Sequence, residues 1–307
     1  MGLRIAVLGL GAWGETLMER WRTQGHTVRG WSRRMGSCAP GLLQDQDLVV
    51  SAVAMAGVLP LAAELAPHWP AGLPLLSCSK GLDLRQLATA TQLWAAHLEE
   101  APLLVLSGPN LATEVRQGLP AASVLACCDP KLAGTMQHEL SDPGLRLYTN
   151  TDPIGTEAAG ALKNVIAVAA GISDGLNLGA NAKAALLCRG LAEIGVVLEG
   201  LGGLPSTLYG LAGLGDLLAT ANSSLSRNYR CGHLLAEGYS EEQAGERIGA
   251  TVEGTRTARA AQQLALRHDW HLPICEQVVS VLDGATTPSA AVRALMERDL
   301  RAEVARP

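Results

Sequence analysis

Residues 4–14 read RIAVLGLGAWG. The apolar, partly β-branched start predicts a strand over 4–8, and the glycines that follow open a helical run reaching Trp21. Each glycine has its own task. Gly9 permits a tight turn, Gly11 lets a pyrophosphate approach the backbone, and Gly14 allows the helix to pack closely on the strand. The anion would then sit on the unpaired amides of the helix N-terminus. The strand–turn–helix context, right at the start of the chain, makes this a dinucleotide-binding reading.

Working outward, short apolar runs at 27–31, 48–51, 73–77, 103–106, 122–126 and 145–148 alternate with helical stretches as far as residue 150. That alternation predicts βαβ units and a mostly parallel sheet. Beyond Asp152 and Pro153 the strand pattern stops. Long Ala/Leu/Gly-rich runs at 156–171, 182–199, 226–236, 240–248, 254–268 and 289–301 carry apolar residues at helical spacing. The expected organisation is an α/β Rossmann-like domain over 1–150 followed by an all-α domain over 151–307.

The 307 residues carry a net charge of −5 and lack the broad basic excess of a nucleic-acid binder. Mean hydropathy is +0.17, yet the uncharged stretch 48–63 contains Pro60 and is shorter than the roughly 20 apolar residues of a bilayer span. The start of the chain has no signal-peptide pattern, so a cytoplasmic location is expected. Seven scattered cysteines without a C-x-x-C pair read as reduced thiols, and no metal site is expected. Phenylalanine is absent, which leaves the core to Leu, Ala and Val.

Candidate chemistry lies in the loops after the strands. The dinucleotide fingerprint wants an acidic residue at the end of the second strand, but Ser32, Arg33 and Arg34 stand there. Guanidinium groups suit a ribose 2′-phosphate, which favours NADP and leaves NAD open. Ser79-Lys80-Gly81 follows the fourth strand, and Ser107-Gly108-Pro109-Asn110 the fifth. In open α/β sheets such loops wall the ligand crevice. In the second half, Lys163 lies in a helix of small and apolar residues, EAAGALKNVIAVAAG over 157–171. Burial would lower its pKa towards the range useful for proton transfer, unless Glu157 or another acid pairs with it. Asp216 follows a glycine-rich turn, where it could orient a lysine or a hydroxyl. Ser226, Arg227 and Asn228 gather a hydroxyl, a guanidinium and an amide at a helix start, chemistry that fits a phosphate or a simple Ser N-cap. Residues 252–254 read as another helix start.

Taken in order, GLGAWG at 9–14, SKGL at 79–82, SGPNLATE at 107–114, GALKNVIAVAAGISDGLNLGANAKAALLCRGLAE at 160–193, GLAGLGDL at 210–217, SRNYRCG at 226–232 and VEGT at 252–255 resemble bacterial-type NAD(P)-dependent glycerol-3-phosphate dehydrogenases. The resemblance implies reversible hydride transfer between NAD(P)H and dihydroxyacetone phosphate, giving sn-glycerol 3-phosphate for phospholipid synthesis. It implies Lys163 as the general acid/base. Substrate contacts would come from Lys80, Gly108, Asn110, Lys163, Asp216, Ser226, Arg227 and Asn228. Cofactor contacts would come from Gly9, Gly11, Ala12, Trp13, Gly14, Arg33, Arg34, Lys80, Ala112, Arg227, Thr251 and Glu253. Two departures stand out: Asn110 and Leu111 replace the family's usual Ser/Thr-Phe, and the connection from Arg34 to Asp45 is short. A small phosphorylated substrate is the expected partner; neither nucleic acid nor a membrane span is expected, and a homodimer is an allowed assembly. Related dehydrogenases of 3-hydroxy acids or ketopantoate share the outline but should lack the Ser-Arg-Asn cluster. A non-catalytic dinucleotide-binding regulator would have no need of a lysine sunk in an apolar helix.

Overall fold

Seven strands form one sheet in the order β2-β1-β3-β4-β5-β6-β7. They are β1 (Arg4–Leu8), β2 (Thr27–Trp31), β3 (Leu48–Ser51), β4 (Leu75–Ser77), β5 (Leu103–Ser107), β6 (Ala121–Ala126) and β7 (Leu145–Asn150). The first five are parallel, β6 is antiparallel to β5, and β7 is parallel to β6. The computed structural model describes residues 2–38, 40–300 and 302.

Successive residues of a strand face opposite sides, and both sides of this sheet are dry. Ile5 and Val7 pack into one cluster with Leu17 and Trp21 of α1 (Ala12–Thr23). Ala6 and Leu8 pack into another with Met55 and Val58 of α2 (Met55–Leu65) and Trp94 of α3 (Ala90–Ala95). The short α4 (Ala112–Arg116) follows β5, and α5 (Pro130–Leu140) joins the face that α1 covers.

The sheet ends at Asn150, and α6 (Pro153–Gly175) begins three residues later. Asp152 is its N-cap: the carboxylate accepts from the Gly155 amide at 2.8 Å and also from the Leu204 amide and the Thr207 hydroxyl. From Gly155 to Ser173 every residue of α6 is buried, as expected for a helix that is apolar all round. Around it pack α7 (Gly179–Gly200), α8 (Asp216–Ala221), α9 (Arg227–Ala236), α11 (Glu253–His268) and α12 (Pro273–Leu282), while α10 (Glu241–Ile248) lies on α9 and α13 (Pro288–Met296) on α12 and α9. The run expected to reach 301 stops at Met296. Nothing in the sequence reading had marked α8 or α12.

Glycine sets the closest approaches in this helical layer. A Cβ on Gly171 would lie 2.0 Å from the Tyr229 carbonyl oxygen, and one on Gly232 would lie 1.9 Å from that of Val168. Helices α6 and α9 therefore touch backbone to backbone. The helical layer also reaches under the sheet: Leu82 and Leu87, in the loop between β4 and α3, belong to its hydrophobic cluster rather than to either sheet face.

Candidate functional site

The C-terminal ends of β1, β3, β4 and β5 share one edge of the sheet, because those strands are parallel. At β1, Gly9 takes φ +99° and a Cβ there would lie 2.7 Å from the Ala52 carbonyl oxygen. A Cβ on Gly14 would lie 2.0 Å from the Gly9 oxygen, so both glycines are sterically required. Gly11 differs: a Cβ there would meet no protein atom within 4 Å. It is the N-cap of α1 and offers no side-chain cap. The first-turn amides of α1, including those of Ala12 and Trp13, therefore have no partner inside the helix and open onto free space. This is a cradle that an anionic pyrophosphate fits.

Past β4, the Ser79 hydroxyl donates to the Val53 carbonyl at 2.7 Å and ties the loop to the end of β3. The Lys80 ammonium that follows uses all three of its protons. It donates to the Gly108 carbonyl at 3.0 Å, to Asn110 Oδ1 at 2.8 Å and to Asp216 Oδ2 at 2.8 Å. The other oxygen of Asp216 accepts from Lys163 Nζ at 2.9 Å. One carboxylate thus sits between two amines, one from each half of the chain.

Lys163 is 6% exposed. Burial pulls its pKa down from the ordinary lysine value to about 8. Asp216 opposes that pull, while the charges of Lys80 and Arg227 add to it. Burial alone would push Asp216 up, but the two neighbouring ammonium groups win and hold it below the usual carboxylate range. The acid that pairs with Lys163 is therefore Asp216 and not Glu157, which bonds elsewhere. A Cβ on Gly160 would lie 2.6 Å from Ser107 Oγ, so that glycine is what lets α6 bring Lys163 against the end of β5.

Asp216 owes its position to a π-helical turn over Leu211–Gly215, where a Cβ on Gly213 would lie 2.0 Å from the Leu208 carbonyl oxygen. One turn further on, Thr220 completes the group. Its hydroxyl accepts from Lys163 Nζ at 2.6 Å and donates to Asp216 Oδ1 at 3.1 Å. The sequence reading missed Thr220; the signal was an Asp and a Thr four residues apart, which share one helix face once the segment is helical.

A second chain of bonds runs beside the first. Asn228 Nδ2 donates to Asn164 Oδ1 at 2.7 Å, and Asn228 Oδ1 accepts from the Gly254 amide at 2.9 Å. Ser226 is the N-cap of α9, accepting from the Tyr229 amide at 3.2 Å. Arg227 is exposed beside it, and among the described residues its guanidinium has no carboxylate partner within ion-pair distance. Glu253, first residue of α11, accepts from the Met55 amide at 3.2 Å and so crosses to the sheet-bearing half. Its carboxyl is raised, chiefly by burial.

The remaining positions expected to contact a cofactor make no hydrogen bond to Lys80 or Lys163 among the described residues. Arg33 and Arg34 form an exposed 3-10 turn directly after β2, with no carboxylate partner among the described residues. Ala112 opens α4, and Thr251 is exposed just before α11. Two polar atoms at the site are buried and lack any bond: Asn110 Nδ2 and Ser107 Oγ. Of the two, Ser107 Oγ is closed in by Gly160, while Asn110 belongs to the loop that bonds Lys80.

A family model described as NAD-dependent glycerol-3-phosphate dehydrogenase N-terminus matches residues 40–133, and its C-terminal counterpart matches 152–293. The glycine turn at 9–14 lies outside both ranges, and its reading rests on its own geometry. A glycerol-3-phosphate dehydrogenase [NAD(P)+] of a Synechococcus species is 54% identical over 303 residues, covering 99% of this chain and 100% of the relative. One from Gloeobacter violaceus is 49% identical over 302 residues, covering 98% and 99%. The crystal structure of glycerol-3-phosphate dehydrogenase from Coxiella burnetii superposes with a TM-score of 0.92 at 33% identity, over 97% of this chain and 99% of that one. The chain belongs to the NAD(P)-dependent glycerol-3-phosphate dehydrogenase family.

Proposed function

We propose that this chain interconverts dihydroxyacetone phosphate and sn-glycerol 3-phosphate, with Lys163 as the group that gives and takes the proton. The observation that carries this reading is the pair of lysines, Lys163 buried and Lys80 half-buried, that share Asp216 at the ligand edge of the sheet. The glycine turn after β1 would hold a nicotinamide dinucleotide, whose chemistry when bound would be hydride exchange with the C2 carbon of the substrate. Lys163, its pKa drawn down to about 8 by burial, donates a proton to the oxygen of the C2 carbonyl during reduction and accepts it back in the oxidation. Asp216 and Thr220 fix the direction in which the amine points.

Asn110, whose Nδ2 has no partner, would donate to a substrate oxygen, an amide taking the place of the family's usual hydroxyl. Lys80 contributes fixed positive charge beside it. Arg227 and the start of α9, with Ser226 and Asn228, are the groups proposed to grip the phosphate, whose remote binding holds C2 in place. Gly9, Gly11, Ala12, Trp13 and Gly14 would hold the pyrophosphate of the cofactor, with Ala112, Thr251 and Glu253 completing its walls. Arg33 and Arg34, unpaired after β2, support NADP over NAD.

We also propose a domain boundary at 150/151, a cytoplasmic role in phospholipid precursor supply, and a homodimer. No helix among the described residues is long and apolar enough to cross a membrane. Val196 on α7 and the adjoining Leu204 and Tyr209 leave exposed apolar surface that a second copy would cover.

The test is substrate-dependent oxidation of NADPH. Dihydroxyacetone phosphate should support it and unphosphorylated dihydroxyacetone should not; equal rates on the two would end the phosphate argument. Run with NADPH and NADH on an Arg33→Ala/Arg34→Ala variant, the same assay should show the NADPH preference falling. Unchanged selectivity would remove these arginines from the cofactor site.

A further inference from the structure

Glu157 lies on α6, six residues before Lys163, and is 4% exposed. It does not face the reaction site. Its carboxyl meets the start of α3: Oε1 accepts from the Thr91 amide at 2.9 Å, and Oε2 bonds the Thr91 hydroxyl. Helix α3 ends the same loop that carries Lys80.

That loop is a stiff cross-piece. Asp83 Oδ1 accepts from the Arg85 and Gln86 amides, the Leu87 amide donates to the Asp83 carbonyl, and Leu87 takes φ +54°, a conformation that a side chain with a Cβ rarely adopts. Leu82 and Leu87 insert into the helical core. Lys80 therefore stands on a segment fastened to α6 at both ends: through Asp216 at the reaction site, and through Thr91 and Glu157 behind it.

We propose that Glu157 is a positioning residue, clamping the Lys80 loop to the helix of Lys163 so that both amines reach Asp216. This rests on the reaction assigned to that site above. The clamp is matched to a neutral carboxyl, for among the described residues no cation lies within ion-pair distance of it. The charged groups on the elements packed around it are engaged elsewhere: Lys80 and Lys163 with Asp216, Asp83 with loop amides, Glu253 with the Met55 amide, and Glu193 with amides of α12. Burial pushes the Glu157 carboxyl up to about 7, and the Thr89 and Thr91 donors only partly oppose it. Neutral, it can accept from the Thr91 amide and donate to the Thr91 hydroxyl. Ionised, it places an uncompensated charge inside the seam and loosens the loop.

Glu157→Gln keeps the neutral pattern at every pH. In the wild type, kcat for dihydroxyacetone phosphate reduction should begin to fall near pH 7; in Glu157→Gln the fall should wait until near pH 8, where Lys163 loses its proton. Near pH 8 the variant should keep a several-fold larger share of its own pH 6 kcat than the wild type does, with KM for NADPH unchanged. Thr91→Val removes a donor that favours the ionised form, so its limb should also move to higher pH. A second readout needs no substrate: between pH 5 and 8 the Tm of the wild type should fall more than that of Glu157→Gln. Superimposable kcat limbs in the wild type and the two variants would overturn the positioning role. A Tm difference in a protein with no activity on dihydroxyacetone phosphate would leave the clamp standing and defeat the reaction assignment instead.

Discussion

Lys163 shows how one residue's chemistry depends on three neighbours. Its ammonium is buried, yet it keeps a counter-charge in Asp216 and a hydroxyl in Thr220. Removing the amine with Lys163→Ala should lower kcat by on the order of 10²–10⁴-fold, the usual worth of a positioned proton donor, while the Kd for NADPH stays within about a factor of two. Wild-type turnover in that variant would return the residue to a structural role. Asp216→Asn should fail differently. It leaves the buried Lys163 and the half-buried Lys80 without their shared counter-charge, so urea unfolding should show a loss of about 3–5 kcal/mol along with the loss of turnover. Lys163 was legible because a charge inside an apolar helix demands a reason. Thr220 was not, because a threonine in a short helix demands none until a partner is placed beside it.

The contact of α6 with α9 is governed by glycine on both sides. Gly232→Ala would push a methyl into the Val168 carbonyl. Overpacking of this kind costs about 1–3 kcal/mol, and more where backbone must move. Because Ser226 and Asn228 ride on the start of α9, KM for the phosphorylated substrate should rise as Tm falls. Gly134 in α5 is the control: nothing lies within 4 Å of a Cβ placed there, so Gly134→Ala should stabilise by about 0.5–1 kcal/mol. Equal effects of the two substitutions would contradict this account of the packing. The starts of α9 and α10 were readable from Ser226 and Ser240, whose hydroxyls cap them. The run PICEQVVSVL of α12 was not, because β-branched Val278, Val279 and Val281 favour a strand locally and outweigh the helix-start signal of Pro273. It is held by burial against α6 and α11, with Glu193 of α7 accepting from the Ile274 and Cys275 amides.

At the scale of the molecule, two buried carboxyls that have no ion-pair partner among the described residues set the stability profile. Burial raises Glu157 and Glu193 each to about 7 from an ordinary value of 4.5. The folded state then holds protons that the unfolded chain has released. The stabilisation is complete below pH 4.5 and is lost as pH rises through 7, on the order of 3 kcal/mol for each group. Asp142, Asp174 and Asp216 are lowered, so their contribution is lost at the acid end. Lys163, lowered to about 8, returns stability only above that pH. Chemical unfolding followed across pH should therefore place maximum stability in the mildly acidic range, with a decline towards pH 8; a flat profile between pH 5 and 8 would deny both carboxyls their buried, neutral state. The sequence by itself determined the sheet of βαβ units, the glycine turn after β1 and the helical half that follows. Those features come from periodicity and from glycine's missing side chain, which act over a few residues. Only the tertiary structure decided that Lys163 pairs with Asp216, that Lys80 reaches across to the same carboxylate, and that Glu157 turns away to clamp the loop behind them. These pairings join residues from 53 to 136 positions apart, and which partner wins there depends on burial and distance, quantities that exist only once the chain has closed on itself.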